Sequence, residues 1–254
     1  MGGTLLDRFT DAPPAGAGLA VPASRALPRV PLVSMLCPTA AGRAEYHGGL
    51  YASFLRQSYP RRDLWVLDDS AEPSAVLTAA ARKDPRVHYF YGPRAERCHD
   101  GTCMPALVAS PQLSLGGARN ALLTLCGGDV VGLMDDDDVY HPHYLENMVS
   151  RLVAWDADLV KLARWNERRE FTGETSTYAP ARGDLANLWG WGFSYVYRRF
   201  CAAVASFPET GHAEDIAFVR GLQAAGLRTR LVEDGAGWVE HLIHGWNFLR
   251  PLSL

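Results

Sequence analysis

The chain has 254 residues, 48% of them hydrophobic, and a formal net charge of −3 at pH 7. This length and composition predict one large α/β domain, and the slight negative charge argues against binding to nucleic acid or to an anionic membrane surface. No apolar run approaches the length of a membrane span and the N-terminus lacks the pattern of a secretory signal, so we expect a soluble, cytoplasmic protein.

The first part of the chain is low in apolar periodicity. Residues 1–29 are rich in Ala, Pro and Gly, which predicts a mobile N-terminal arm, and residues 30–254 are then expected to form the single folded domain. The first predicted strand covers residues 31–37 and ends at Pro38. A loop through Gly42 leads from that strand to a helix.

The next elements alternate between helix and strand. The first helix has an apolar stripe at Tyr51, Phe54 and Leu55, and the strand after it ends in Asp68 and Asp69. Further elements are predicted as a helix over 74–82, a strand over 87–91, a helix over 116–126, a strand over 127–134, a helix carrying the apolar residues of 145–152, a strand over 159–163, a helix over 214–225 and a final strand over 239–244. Such alternation predicts a mainly parallel sheet with right-handed crossovers.

Two stretches show no sustained period. Residues 92–115 are predicted to form a long loop, in which Cys98, His99 and Cys103 lie close together. These three side chains could hold zinc or form a disulfide, but the spacing matches no familiar zinc pattern, which favours a plain polar loop. Residues 164–188 are polar and aperiodic, so no element is expected there.

Four consecutive aspartates follow the apolar run of residues 127–134, and they occupy positions 135–138. In open α/β sheets, ligands bind beyond the carboxyl ends of such strands. Four adjacent carboxylates repel one another, so they favour a cation, either a metal such as Mg²⁺ or Mn²⁺ or basic side chains. The alternative is a simple turn in which Asp138 caps a helix that starts near Pro142.

Taken together, these motifs resemble the inverting GT-A glycosyltransferases of glycosyltransferase family 2, over roughly residues 31–247. The segments that carry the resemblance are 33–39, 57–60, 66–70, 117–121 and 133–138, the last of which covers the DXD motif of that family. The resemblance implies a GT-A fold, that is, a Rossmann-like, mainly parallel mixed sheet flanked by helices.

The resemblance also implies a nucleotide-sugar site and a metal site. The residues expected to contact the nucleotide sugar are Pro38, Thr39, Asp68, Asp69, Arg119, Asp135, Asp136, Trp191 and Gly192. The residues expected to hold Mn²⁺ or Mg²⁺ are Asp137 and Asp135, completed by His244 or His241. Hydrogen-bonded structural histidines remain an alternative for the last two, and a surface ion pair remains one for Arg119.

The catalytic base implied by the resemblance is Asp215, with Glu214 beside it as an acceptor or sugar contact. The alternative for Asp215 is a helix N-terminal carboxylate that favours the helix dipole. Trp189, Trp191 and Trp246 are expected to form a stacking surface, or else to pack in the core.

We therefore expect an inverting, metal-dependent glycosyltransferase that uses a nucleotide-diphosphate sugar, most simply a UDP-sugar, and a soluble small-molecule or peptide acceptor. One alternative is a sugar-phosphate nucleotidyltransferase, for which the loop at 38–43 is a poor match to the required glycine-rich basic loop. The other is a nucleotide-sugar-binding protein that has lost catalysis, against which the intact carboxylate set argues.

Overall fold

The computed structural model describes residues 26–91, 113–181 and 183–244, together with the backbone of 98–99 and 102–103. Most of the predicted arm over 1–29 lies outside this range, but Leu27 and Val30, at its boundary with the predicted domain, pack against the core. The strands are β1 (Val33–Thr39), β2 (Arg62–Asp68), β3 (Val87–Tyr91), β4 (Cys98–His99), β5 (Thr102–Cys103), β6 (Val130–Leu133), β7 (Val139–Tyr140), β8 (Leu159–Leu162), β9 (Trp165–Arg169), β10 (Thr175–Tyr178), β11 (Val196–Arg198), β12 (Thr229–Val232) and β13 (Val239–Ile243). The helices are α1 (His47–Arg56), α2 (Ala75–Lys83), α3 (Leu115–Leu125), α4 (Tyr144–Ala154), α5 (Leu185–Trp189), α6 (Cys201–Val204) and α7 (Glu214–Ala224).

The main sheet has seven strands in the order β12-β8-β11-β6-β1-β2-β3. All its pairings are parallel except those of β11, which runs antiparallel to both β6 and β8. The predicted mainly parallel α/β sheet is therefore confirmed. The chain crosses over between β1 and β6, and this is where open α/β sheets leave a crevice for ligands.

Helices cover both faces of the main sheet. On one face, α1, α2 and α4 bury Phe54, Leu77 and Met148 against β1 and β2. On the other face, α3 and α7 bury Leu122 and Phe218 against β6 and β11. Each face therefore has its own apolar core, so the central strands are covered on both sides and their carboxyl ends are held at one edge.

The first helix differs in one detail from its prediction. Leu55 is 43% exposed, whereas Leu50 and Phe54 are fully buried, so the inward stripe of α1 runs through Leu50 and Phe54. The expected membership of Leu55 was wrong because a three-residue stripe does not define which side of a short helix faces the sheet.

A second, smaller sheet has the order β10-β9-β13-β7. Its strands β9 and β10 lie in the stretch over 164–188 for which no element was expected, and so do all residues of helix α5 except Trp189. That expectation was wrong. Trp165 is the one fully buried residue of β9, and the rest of that strand is polar. A strand with so few buried apolar residues shows no hydrophobic alternation, so it cannot be predicted from that pattern.

The strands β4 and β5 pair antiparallel, with Cys98 opposite Cys103. The side chains of this segment lie outside the described residues, so the zinc, disulfide and polar-loop interpretations all stay predictions. The cysteines whose side chains the structure describes are Cys37, Cys126 and Cys201. All three are buried and none forms a disulfide, as expected for the first two.

Candidate active site

A cleft of about 670 Å³ opens at the carboxyl ends of β1, β2 and β6. The predicted site residues that line it are Pro38, Thr39, Asp69, Arg119, Asp135, Asp136, Asp137, Trp191, Gly192, Glu214, Asp215 and His241. Asp68 and His244 are the predicted site residues that do not line it. One cleft thus collects residues from both halves of the chain.

Asp68 and Asp69 follow the same strand but have different surroundings. Asp68 is buried, and its carboxylate accepts hydrogen bonds from the Tyr89 hydroxyl at 2.7 Å and the Ser70 N–H at 3.0 Å. Asp69 is half-buried and faces the cleft, while its N–H donates to the carbonyl of Thr39. Asp68 therefore shapes the turn, and Asp69 is the one of the two that lines the cleft.

Three of the four consecutive aspartates converge. One carboxylate oxygen from each of Asp135, Asp137 and Asp138 lies within 4.8 Å of the others. Asp138 Oδ1 accepts a hydrogen bond from the N–H of Leu242 at 3.1 Å, while Oδ2 is buried and has no hydrogen-bond partner among the described residues.

Asp138 is thus not a helix cap, and that interpretation was wrong. Helix α4 starts at Tyr144, and the residue before it, His143, makes no side-chain cap bond. The short strand β7 separates Asp138 from the helix and directs its carboxylate towards β13 instead.

This donor set fits a hard divalent cation. Three carboxylates supply the oxygen ligands that Mg²⁺ and Mn²⁺ prefer, and the unpartnered Oδ2 of Asp138 is an acceptor that a cation would satisfy. Burial, reinforced by Asp138 and Asp137 and opposed by Arg119, raises the pKa of Asp135 to about 7. The cluster therefore carries the unfavourable charge that a bound cation would relieve.

Both candidate histidines contact this cluster through carboxylates. Nδ1 of His241 lies 2.8 Å from Asp138 Oδ1, and Nε2 of His244 lies 2.8 Å from Asp137 Oδ2. Burial alone would lower the pKa of His241, but Asp138 outweighs it and raises that pKa to about 9. With that pKa, His241 is a cation at neutral pH and stabilises the carboxylate it touches.

A further cation, Arg43, was not assigned from the sequence. Its Nε lies 2.9 Å from both carboxylate oxygens of Asp136, and its Nη2 lies 2.5 Å from Asp136 Oδ1 and 2.7 Å from Asp137 Oδ2. Burial would raise the pKa of Asp137, but Arg43 and His244 outweigh it and lower that pKa. The only signal in the sequence was the general need of the aspartates for a positive partner.

Asp136 is engaged on its other side by the end of β1. The hydroxyl of Thr39 donates to Asp136 Oδ2 at 2.5 Å and lies 3.1 Å from Nε2 of His47. Since the single hydroxyl proton of Thr39 points to Asp136, His47 must be the donor to Thr39. The pKa of His47 is lowered by burial, in keeping with a neutral ring.

Arg119 and Glu214 form a buried pair beneath the other wall of the cleft. Helix α3 begins after Ser114, whose hydroxyl accepts the N–H of Gly117, and this places Arg119 in the second turn. Nη1 of Arg119 lies 2.5 Å from Glu214 Oε1, and Nη2 lies 3.9 Å from Asp135 Oδ1. Arg119 is only 2% exposed, so the alternative of a surface ion pair was wrong.

Asp215 is held by the main chain on both carboxylate oxygens. Oδ2 accepts the N–H of Gly192 at 2.9 Å, and Oδ1 accepts the N–H of Ile216 at 2.7 Å. The residues that set up these contacts, Trp191 and Ala213, have left-handed backbone angles, with φ of 64° and 59°. Such strained backbone away from glycine is concentrated at functional sites.

Aromatic rings form the wall beside Asp215. Trp191 lines the cleft and lies 5.7 Å, between ring centroids, from Trp165. Trp189 instead packs against the core beneath α3 and α7, so its expected place in a stacking surface was wrong. Trp246 lies outside the described residues.

One protein family matches part of the chain. A model of the family described as Glycosyl transferase family 2 matches residues 107–208. No match was found among curated proteins. Among the described residues, none of the helices is long and apolar enough to span a membrane.

The fold is similar to that of several solved structures. Staphylococcus aureus TarS superposes with a TM-score of 0.58 at 16% sequence identity, covering 84% of this chain and 37% of TarS. Its fragment 1–349 in complex with UDP gives a TM-score of 0.58 at 16% identity, covering 85% of this chain and 62% of that one. The mannosyltransferase PcManGT from Pyrobaculum calidifontis, in complex with GDP-Man and Mn²⁺, gives 0.60 at 15% identity, covering 84% of this chain and 56% of that one.

The chain therefore spans between 37% and 62% of the length of these structures. The fold shared with them is a mixed α/β fold whose mainly parallel sheet is flanked by helices. The predicted GT-A fold is thus confirmed, and the predicted resemblance to glycosyltransferase family 2 is borne out by the family model that matches residues 107–208.

Proposed function

We propose that the protein is an inverting, metal-dependent glycosyltransferase that takes its sugar from a nucleotide-diphosphate donor, with a UDP-sugar favoured. The observation that carries this proposal is the meeting, in one cleft, of Asp135 and Asp137 with the main-chain-anchored carboxylate of Asp215. The buried Asp138 completes an acidic triad with the first two. Solved structures of the same fold contain UDP, UDP-GlcNAc, or GDP-Man with Mn²⁺, which supports a nucleotide-sugar donor.

The donor half of the cleft is built at the ends of β1 and β2. Pro38, Thr39 and Asp69 line this half, and we assign it to the nucleoside. Asp135, Asp137 and Asp138 would hold Mn²⁺ or Mg²⁺, which when bound supplies Lewis-acid stabilisation of the diphosphate leaving group.

The acceptor half is built around α7. Asp215 is positioned to take the proton from the attacking group, because each of its oxygens accepts one main-chain N–H and keeps another lone pair for the acceptor. Glu214 is paired with Arg119, so its part in the proposal is to hold that guanidinium against the cleft wall. One displacement by an activated acceptor inverts the anomeric centre.

Trp191, Asn187 and Ile216 line the cleft on the same side as Asp215. An apolar ring beside a polar amide suits an acceptor with both an apolar face and a hydroxyl or other nucleophile. We therefore propose a small-molecule or peptide acceptor.

A thermal-shift panel tests the donor. Ligand binding raises apparent stability according to affinity. We expect UDP-sugars to raise the melting temperature more than GDP- or dTDP-sugars, and only when Mn²⁺ is present. No shift with any nucleotide sugar would contradict the proposal, and a shift that does not need Mn²⁺ would contradict metal dependence.

Turnover distinguishes the proposal from its two alternatives. A nucleotidyltransferase would release pyrophosphate from a nucleoside triphosphate and a sugar phosphate, and a non-catalytic protein would bind the donor without slow Mn²⁺-dependent hydrolysis. We expect nucleoside-diphosphate release and, by NMR of the product, a β-linked sugar from an α-linked donor. A retained configuration would overturn the inverting mechanism.

A further inference from the structure

One side of the Arg43 guanidinium is held by aspartates, and the other side carries a donor without a partner among the described residues. Two of its nitrogens, Nε and Nη2, are committed to Asp136, and Nη2 also contacts Asp137. Its third nitrogen, Nη1, has no hydrogen-bond partner among the described residues, although the side chain is 27% exposed and lines the cleft. A guanidinium carries five N–H donors in a rigid fork, so anchoring one edge fixes the direction of the other.

The carboxylate of Asp136 that anchors Arg43 is buried and already has two partners. The side chain of Asp136 is only 2% exposed, and its carboxylate already accepts from Thr39 and Arg43. The hydroxyl of Thr39 is used between His47 and Asp136. The chain from His47 through Thr39 to Asp136 therefore acts as a support that holds Arg43 in place.

A cation with an unpartnered donor would help the cleft to bind an anionic ligand. Its walls carry the carboxylates of Asp135, Asp137, Glu214 and Asp215, which repel an anionic ligand. Arg119 also faces the cleft, but it is 2% exposed and its Nη1 is bound to Glu214. Arg43 is thus the more accessible guanidinium of the two. The unpartnered Nη1 of Arg43 belongs to a side chain that is 27% exposed, whereas the unpartnered Nε of Arg119 is buried.

We propose that Arg43 is a donor-binding residue whose Nη1 donates to a phosphate oxygen of the nucleotide-diphosphate donor, with Asp136, Thr39 and His47 as the residues that position it. This inference rests on the proposed function and names a contact within that site. Bound in this way, Arg43 would offset negative charge on the diphosphate at the edge of the acidic cluster.

The test compares UDP with uridine, which lacks the diphosphate, by calorimetry at saturating Mn²⁺. Because charge-assisted hydrogen bonds of this kind are among the stronger ones, we expect Arg43→Gln to weaken UDP binding roughly 10- to 100-fold and to leave uridine binding unchanged. Arg43→Lys, which keeps the charge but loses the fork, should lie between the native protein and Arg43→Gln.

Two further variants exclude trivial effects. Arg86→Gln is the matched control, because Arg86 makes the same two-pronged contact with Asp84 outside the cleft and should leave UDP affinity unchanged. Arg43→Gln alone leaves the Asp136 carboxylate charged and without its ion-pair partner. The double variant Arg43→Gln with Asp136→Asn removes the guanidinium and that unpaired charge together. We expect it to lose UDP affinity as Arg43→Gln does.

The outcomes separate this inference from the proposed function. If the native protein bound UDP and Arg43→Gln bound it equally well, the inference would be overturned and the proposed function would stand. Equal losses for UDP and uridine would also overturn it, since Arg43 would then shape the nucleoside pocket. If the native protein bound no nucleoside diphosphate, both would fail.

Discussion

The main-chain N–H of Gly192 donates a hydrogen bond of 2.9 Å to Oδ2 of Asp215, which joins the loop before β11 to the start of α7. The two residues are 23 positions apart, and the left-handed backbone of Trp191 turns the N–H of Gly192 towards the carboxylate. A carboxylate held in this way loses little freedom when an acceptor arrives, which is what a general base requires.

Replacing Asp215 by Asn tests its proposed role as the catalytic base. The amide keeps the shape of the side chain but cannot take a proton, so we expect turnover to fall by roughly 10²- to 10⁴-fold. UDP affinity should stay near the native value, because the donor half is built from other elements. Steady-state kinetics and calorimetry check the two quantities separately. A drop in turnover explained entirely by weaker UDP binding would make Asp215 a binding residue.

Gly192→Ala tests the position of Asp215 without changing its chemistry. An added Cβ would lie 3.1 Å from Cβ of Asp215 and 3.2 Å from Nη1 of Arg119, so both side chains must shift. We expect about a tenfold loss of kcat, since small displacements of a reacting group are costly. Gly211→Ala is the matched control: Gly211 also lines the cleft, but a Cβ there meets nothing within 4 Å. Equal effects of both changes on kcat would refute the positioning role of Gly192.

The acidic triad predicts how metal binding depends on single carboxylates. Asp137→Ala should abolish Mn²⁺ binding, with Asp135→Ala less severe, and Asp138→Asn should weaken it. The Asn oxygen can still accept the N–H of Leu242, whereas its amide nitrogen replaces the unpartnered Oδ2 and cannot coordinate a cation.

We expect the loss for Asp138→Asn to be at least the roughly 10- to 100-fold seen when a partner of a metal ligand is removed. Electron paramagnetic resonance of free Mn²⁺ measures it. Asp234→Asn, at an exposed carboxylate paired with Arg151, should have no effect. Native Mn²⁺ affinity in the Asp138 variant would exclude that residue from the metal site.

Lys161 predicts a pH dependence of stability. It is fully buried on β8, where its ammonium donates to the carbonyl of Leu162 at 2.8 Å, and burial lowers its pKa to about 7 although Asp215 opposes this shift. Between pH 7 and the pKa of an unfolded lysine, the unfolded state binds more protons than the folded state. The contribution of Lys161 to the free energy of unfolding therefore increases as the pH rises through this range.

His241 acts in the opposite direction between pH 6.5 and 9, because its pKa is raised to about 9. The measurement is therefore the difference between the native protein and Lys161→Met, obtained by urea unfolding at pH 7 and pH 9. We expect the free energy of unfolding of Lys161→Met, relative to that of the native protein, to fall by about 2 kcal/mol from pH 7 to pH 9. A difference that stays constant with pH would show that Lys161 remains charged in the folded protein.

Local pattern was enough to predict some elements and not others. The strand β3 (Val87–Tyr91) was predicted with its observed bounds, and α2 (Ala75–Lys83) was predicted to within one residue at each end, because neighbouring residues are enough to define such elements. The polar strands β9 and β10 were missed because they bury almost nothing outside Trp165.

The site shows the same division. Most of the residues predicted from the family motifs do line one cleft, from Pro38 to His241. They did not identify Arg43 as a site residue or separate Asp138 from a helix cap. Arg43 reaches Asp136 across 93 positions, and Asp138 reaches His241 across 103. Contacts between residues so far apart in sequence depend on how the two sheets are arranged in the fold, and local periodicity does not predict this.

The bonds between the acidic cluster and the residues around β13 also bear on the order in which the protein matures. Asp138 is held by His241 and Leu242, and Asp137 by His244, across 103 to 107 positions. A nascent chain emerges from the ribosome N-terminus first, so the aspartates are made long before these partners. Until residue 244 leaves the exit tunnel, the carboxylates of Asp137 and Asp138 lack these partners. The acidic side of the cleft can therefore be completed only late in synthesis, after the central strands of the main sheet have been made.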